Sequence, residues 1–375
     1  YLLILGLVNQ MLVQQPQCFG FEQFQHYTSN GLREYSEQEY EQRFLQLAGN
    51  QLDNIKIIEG RFSPKDKEYK NNYLIDKIRR GWLLLNNRQG CNKSDIRLIA
   101  HFIKRADKQK KDIRFKELRL KNRKICEALI SLRNSGSKNG KAIVGIDAAA
   151  SEFDTSPEVF APVFKKLREK GFQHFTYHAG EDFYHLLGGL RAIYEAITFL
   201  DLQRGDRIGH ATAAGVAPET WAHNVGCEVV VPIGAYMDDL LFVYYLISNN
   251  ECKALDSLMP RLYMRITELS REIYPNDDFQ VYDLIYAWKR RQEDILELAD
   301  SDELNNIKAL RRYHQKEYVE KYKKEIKVNI FEILDEKALR EVQLAILKIM
   351  HHKEIAIETL PTSNIFIGYH NSFNT

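Results

Sequence analysis

Short runs rich in β-branched and aromatic residues take turns with longer stretches of helical spacing, and this alternation limits the fold more than any other feature of the sequence. Ile55 to Glu59, Ile96 to Phe102, Ala142 to Asp147, Phe172 to His178 and Ile355 to Thr359 have the length and composition of strands. Helix-length segments such as Asp112 to Arg133 and Phe183 to Leu200 lie between them. Strand and helix in turn predict an α/β fold with a parallel sheet and helical crossovers, either an open doubly wound sheet or a closed barrel. No GxGxxG or GxxxxGKS/T loop follows any candidate strand, which favours the barrel over a nucleotide-binding sheet.

From about Tyr236 to Met350 the alternation stops and nearly everything reads helical, with apolar residues three and four apart in Asp238 to Ile247, Val281 to Leu298 and Leu339 to Met350. The expected organisation is a barrel over 1–235 and 351–375, interrupted by an inserted helical subdomain over 236–350. Asn134 to Gly140 reads as a loop by composition. Lys104 to Lys124 and Lys308 to Lys327 are rich in Lys and Arg, but interspersed acids make solvated helix faces the expectation and phosphate or subunit contacts the alternative.

Lys+Arg of 53 against Asp+Glu of 51 leaves a net charge of +2, so bulk charge gives no reason to expect a nucleic acid or a membrane as partner. Tyr1 to Val13 has no basic lead and is too short to span a bilayer, so a buried helix is expected there. Five cysteines, Cys18, Cys91, Cys126, Cys227 and Cys252, stand far apart without a CxxC pair. Reduced thiols in a cytoplasmic protein are the expectation. The Tyr1 start and Thr375 end lead to the further expectation that the chain is a piece of a longer protein.

The chemistry concentrates between Phe175 and His210. Strand alternation over Phe172 to His178 predicts that His174, Thr176 and His178 share one face, with His178 at the carboxyl end, the active-site face of a parallel barrel. Ala179 and Gly180 are small enough for Glu181 to turn into the same mouth, and the strand-like Arg207 to Gly209 delivers His210 to the same rim. A neutral imidazole on a rigid strand end suits zinc. A nearby carboxylic acid can exchange a proton with a bound heterocycle, and a second histidine can orient or deprotonate a water. The set fits hydrolysis at an sp² carbon. His174 would stand roughly 13 Å from His178 along the strand and is not expected to share a metal. His101 reads as a hydrogen-bonded barrel histidine, Glu59 and Arg61 as a structural ion-pair network, Asp147 and Glu152 as groups that orient backbone and neighbours, and His351-His352 as cations at a helix C-terminus.

GIDAAASE at Gly145 to Glu152, HAGE at His178 to Glu181 and RIGH at Arg207 to His210 stand in an order that resembles the adenosine deaminase family of the metal-dependent hydrolase superfamily. EGRFSP at Glu59 to Pro64 is similar to the family's ExR(F/Y)SP strand end, and ETLPTSN at Glu358 to Asn364 to its ExCP(T/S)SN segment. The resemblance implies a (β/α)8 TIM-type barrel and a Zn2+ cofactor. It implies His178 as a zinc ligand, Glu181 as the acid that protonates the purine ring, and His210 as the residue that positions and deprotonates the attacking water. It makes Ala150, where the family has a glycine whose amide approaches the purine, a substrate-binding position together with Glu181. Ala211 and Leu360 likewise replace a family glycine and cysteine.

The implied reaction is deamination of an adenine nucleoside or nucleotide to its inosine form. The family's HxH pair and late aspartate do not occur in this sequence, so the first and last barrel strands are expected to lie outside it. The alternatives are a metal-free relative that keeps the barrel as a scaffold and a metal-dependent hydrolase of another substrate. The long helical elaboration is similar to that of the deaminase subunit of RADAR-type anti-phage assemblies. This layout implies a homo-oligomer or larger assembly with an ATPase partner, and RNA as a further substrate.

Overall fold

The structure, a computed structural model, describes residues 38–49, 52–88, 95–107, 113–298 and 304–359. Tyr1 to Val13, Cys18, Cys91, Leu360 and the PTSN match at Pro361 to Asn364 lie outside the described residues. The chain divides into two compact units, one of residues 1–103, 120–150 and 163–176, the other of 104–119, 151–162 and 177–375.

In the first unit β1 (Ile57–Phe62), β2 (Asp95–Ile103) and β3 (Ile143–Ala149) pair in parallel, with Ile58 opposite Ile96 and His101 opposite Asp147. β3 is buried at every residue but Val144, the pattern of a parallel strand covered on both faces. Helices α1 (Tyr40–Ala48), α2 (Glu68–Arg88) and, from Leu120 onward, α3 (Lys116–Asn134) belong to the same unit. The expected loop at Asn134 to Gly140 holds the start of a short helix, α4 (Lys138–Ala142), because the Ser137 hydroxyl accepts the Gly140 N–H at 3.1 Å and caps it. After α5 (Ala161–Glu169) comes β4 (Phe175–Ala179), which begins in the first unit and ends in the second.

The second unit continues with α6 (Leu186–Phe199), β5 (Arg207–His210), α7 (Thr212–Gly215) and α8 (Pro218–Val225). Then follow β6 (Glu228–Pro232), α9 (Ile233–Ser248), α10 (Met259–Ile273), α11 (Val281–Arg290), α12 (Asn305–His314), α13 (Lys316–Tyr322), β7 (Glu325–Asn329), α14 (Glu336–His352) and β8 (Ala356–Glu358). β8 runs parallel to β5 with Ile208 opposite Ile357. Strand order in the main sheet is β1-β2-β3-β4-β5-β8. It advances in chain order with no reversal, as barrel strands do and doubly wound strands do not. The fold is therefore α/β of the barrel kind, as the sequence pattern predicts.

The 236–350 stretch is not wholly helical. β7 pairs antiparallel with β6, with Val230 opposite Lys327. The predicted helix over Val281 to Leu298 also stops early, at Arg290, although Gln280 and Asp283 give it a full capping box at its start. Trp288 anchors this part of the core: it is fully buried among Tyr194, Phe199, Phe242 and Tyr245, and its indole N–H donates to Glu195 Oε1 at 2.7 Å. Trp82 and Trp221 are buried as well. Asp238 and Asp239, side by side on α9, turn to different arginines. Asp238 takes Arg291 in a two-pronged pair at 2.6 and 2.9 Å, and Asp239 takes Arg191 at 2.7 Å.

Solvated faces describe the basic stretch Lys104 to Lys124 only in part. Lys104, Arg114 and Arg119 are buried. On α3 the residues Arg119, Asn122, Cys126 and Leu129 repeat every three or four positions on the inward stripe, so the helical period carries a charge inside. Among the described residues no helix is long and apolar enough to cross a membrane.

Candidate active site

The end of β4 and the end of β5 bring the sequence-predicted trio together in the second unit. The His178 and His210 rings lie 5.3 Å apart between centroids and tilt by 52°. Nε2 of His210 stands 3.2 Å from Oε1 of Glu181. All three side chains are buried.

Backbone geometry makes this convergence. His210 and Ala211 both adopt left-handed φ angles, 67° and 51°. Consecutive non-glycine residues in that region are uncommon and cost free energy, which marks a segment whose shape is fixed by its surroundings. The turn is held by the Ala211 N–H, which donates to Ala179 O at 3.2 Å, and the Ala213 N–H, which donates to Gly180 O at 2.8 Å. Gly209 is required for a separate reason: a Cβ there would stand 2.8 Å from Cδ2 of His178. Gly209→Ala is expected to push the His178 ring aside and to cost about 1 to 3 kcal/mol, measurable as a lowered urea midpoint.

Glu181 is carried on a loop fixed by another carboxylate. Glu152 accepts the backbone N–H of Gly180 at 2.9 Å, of Glu181 at 2.7 Å and of Asp182 at 3.4 Å. The orienting role read for Glu152 in the sequence is what the geometry shows. Gly180, at φ 74°, packs so closely on Ile193 that a Cβ would meet that side chain at 2.6 Å. Lys104, missed as a site residue, donates from Nζ to the carbonyl of His178 at 2.7 Å and lies 4.5 Å over the Tyr177 ring. A charge run in sequence gives no sign of this, because the partner is a backbone oxygen seventy-odd residues away.

Burial, reinforced by the Glu152 and Asp182 carboxylates and partly offset by Lys104, pushes the Glu181 carboxyl up to about 8. It is therefore held as the acid at neutral pH. Its Oε1 is buried and makes no hydrogen bond, since the His210 contact lacks the alignment for one. His185 takes a structural part nearby. Its Nδ1 accepts the Leu187 N–H at 3.1 Å as the cap of α6, which leaves Nε2–H to donate to Ile330 O at 3.1 Å. Burial, offset in part by that bond, pulls it down to about 4 and keeps it neutral.

His174 precedes β4, with φ 62°, and so does not share the alternation expected of it with Thr176 and His178. In the first unit Asp147 accepts Arg61 Nε at 2.7 Å and contacts His101 Nδ1 at 2.9 Å. The structural reading of Arg61 and His101 agrees with these bonds. Ala150 follows β3 in that same unit at φ 103°, a conformation that favours the glycine of the family motif.

Among the described residues no group of His, Cys, Asp or Glu side chains is gathered as a metal site. A catalytic zinc takes three protein ligands. His178 is the one described residue that matches such a ligand, so the described residues do not by themselves fit the ion.

No family model and no curated protein matches the chain. Among solved structures it is similar to an adenine deaminase from Arthrobacter aurescens, at 17% identity and TM-score 0.33, over 52% of this chain and 51% of that one. It is also similar to a zinc-bound amidohydrolase from Burkhoderia ambifaria, at 15% identity and TM-score 0.32, over 53% of this chain and 49% of that one. The chain thus spans about half the length of each of these structures.

Proposed function

We propose that this chain belongs to a hydrolase that removes the exocyclic amine of an adenine nucleoside or nucleotide as ammonia. The observation that carries the reading is the buried Glu181 carboxyl standing 3.2 Å from His210, at the ends of β4 and β5 and beside His178, where burial favours its acid form. Water adds to C6 of the purine and loses a proton to His210, while Glu181 gives its proton to the ring nitrogen that gains electron density. His210 then passes its proton to the exocyclic amine, which leaves as ammonia, while the proton of the new C6 hydroxyl goes to Glu181 and leaves the C6 carbonyl, so adenosine and water become inosine and ammonia. Glu152 contributes by holding the Glu181 loop still, since a donor displaced by an ångström loses most of its effect.

Zinc enters this reading from the sequence resemblance alone, with His178 as the matching ligand, and no step here is routed through it. Placement in an anti-phage assembly, an ATPase partner, an oligomer, RNA as substrate and a cytoplasmic location rest on the sequence alone.

The test is ammonia release from adenosine, from adenosine 5′-monophosphate and triphosphate, and from an adenosine-containing RNA, with added zinc and with chelator. The expected result is ammonia from at least one of them, accompanied by the absorbance change of inosine formation. Ammonia from none of them overturns the reading in favour of the scaffold or of a hydrolase acting elsewhere.

A further inference from the structure

Next to the trio, but not lined by His178, Glu181 or His210, the second unit holds a cavity of about 430 Å³. Lys104, Arg114, Glu158, Asp238, Arg291 and Tyr313 are among its walls. Several of its carboxylates are already engaged. Asp238 holds Arg291 by both Nη atoms, Glu195 and Asp239 hold Arg191 at 2.9 and 2.7 Å, and Glu158 accepts the Tyr313 hydroxyl at 2.7 Å.

Two guanidiniums are not so matched. Arg114 is 8% exposed and Arg119 3% exposed, and neither forms an ion pair among the described residues. Arg119 reaches only the backbone O of Glu158, at 3.4 Å, and its Nε and Nη2 have no partner. Nη1 of Arg114 has none either, nor has Nε of Arg291. The Arg114 guanidinium lies over the rings of Tyr313 and Tyr322, 4.5 and 4.7 Å from their centroids. Stacking uses its flat faces and leaves N–H bonds at its edge, in the geometry that meets an oxyanion two-pronged. His314 sits among these arginines with neither ring nitrogen bonded, and burial beside three cations holds it neutral.

A guanidinium only donates, so a second guanidinium or a neutral imidazole N–H cannot satisfy it. Glu158 is the carboxylate whose charge acts on both guanidiniums, but it accepts the Tyr313 hydroxyl and forms an ion pair with neither. An oxyanion in the cavity against the edge of the Arg114 guanidinium would give that side chain an acceptor, while Arg114 Nη1 and Arg291 Nε are closed off behind it. The space falls within the range of pockets that take whole small molecules.

We propose that this cavity binds the phosphoryl group of a small organic phosphate, with Arg114 as its principal donor and Arg291 beside it. Arg119, which does not line the cavity, adds positive potential from behind. The proposal is independent of the chemistry assigned to Glu181 and His210.

The test is thermal unfolding of the full chain in about 10 mM sodium phosphate or about 10 mM ribose 5-phosphate, against sodium chloride at matched ionic strength. Both ligands are expected to raise Tm by about 2 °C or more, ribose 5-phosphate the further. Arg114→Met keeps the side-chain length without the charge. It is expected to lose the rise with both ligands, measured against its own unfolding temperature in chloride. Arg114→Lys, which keeps the charge and drops the planar fork, should lose most of the rise and stands in if the methionine variant does not fold. No rise over chloride in the wild type, or an undiminished rise in both variants, overturns the site. A rise with free phosphate alone overturns its assignment to an organic ester.

Discussion

Glu181→Gln is expected to lower the rate of ammonia release about a thousandfold, with the loss in kcat, because an amide occupies the same space but has no acid proton to give. The same substitution carries a second signature that needs no substrate. The folded carboxyl titrates near 8, against an ordinary 4.5. Folding therefore takes up a proton between those two pH values. The stabilisation this group provides is fully present below about pH 4.5 and is lost as pH rises to about 8. Within that window it changes by up to about 1.4 kcal/mol per pH unit. Stability measured in chelator at pH 5.5 and pH 7.5 should fall more steeply in the wild type than in Glu181→Gln. Equal slopes would show that Glu181 ionises at an ordinary pH in the folded chain, and the proton-donor role would go with it.

Asp238→Ala is expected to destabilise the second unit by about 3 to 5 kcal/mol, read from the denaturant midpoint. Burial opposes ionisation of Asp238, but the paired and hydrogen-bonded Arg291, with Arg191 and Tyr322, outweighs it and holds the carboxyl below the usual range. Removing it strands Arg291, which is 3% exposed. The double variant Asp238→Leu with Arg291→Met should recover most of the loss, since two apolar groups of similar size leave no buried charge behind. A single-variant cost under about 1 kcal/mol would mean that water reaches Arg291 in its place.

Much of the site could be read from sequence because its short-range constraints are written in residue size. Gly209 of RIGH has to be glycine to clear the His178 ring of HAGE, and Gly180 of HAGE to clear Ile193 on α6, so each motif's glycine records a close approach. The chain-order sheet could likewise be read from the alternation of strand and helix. What escaped depends on partners far along the chain. Arg114 is carried inward by Tyr313 and Tyr322, about two hundred residues later, and nothing near Arg114 in sequence announces those rings. β7 was hidden because EIKVN follows a Lys-rich helix, and only its antiparallel match to β6 makes it a strand. Alternation counted from Phe172 misplaces His174, because the extended run starts at Phe175.

The three tryptophans of the chain, each buried, are divided between the units: Trp82 in the first, Trp221 and Trp288 in the second. Native fluorescence therefore comes wholly from rings shielded from collisional quenchers such as iodide. A chain that keeps an indole only at 82, or only at 288, turns that shielding into a local clock. Whichever emission first moves to longer wavelength on heating names the half of the molecule that loosens first.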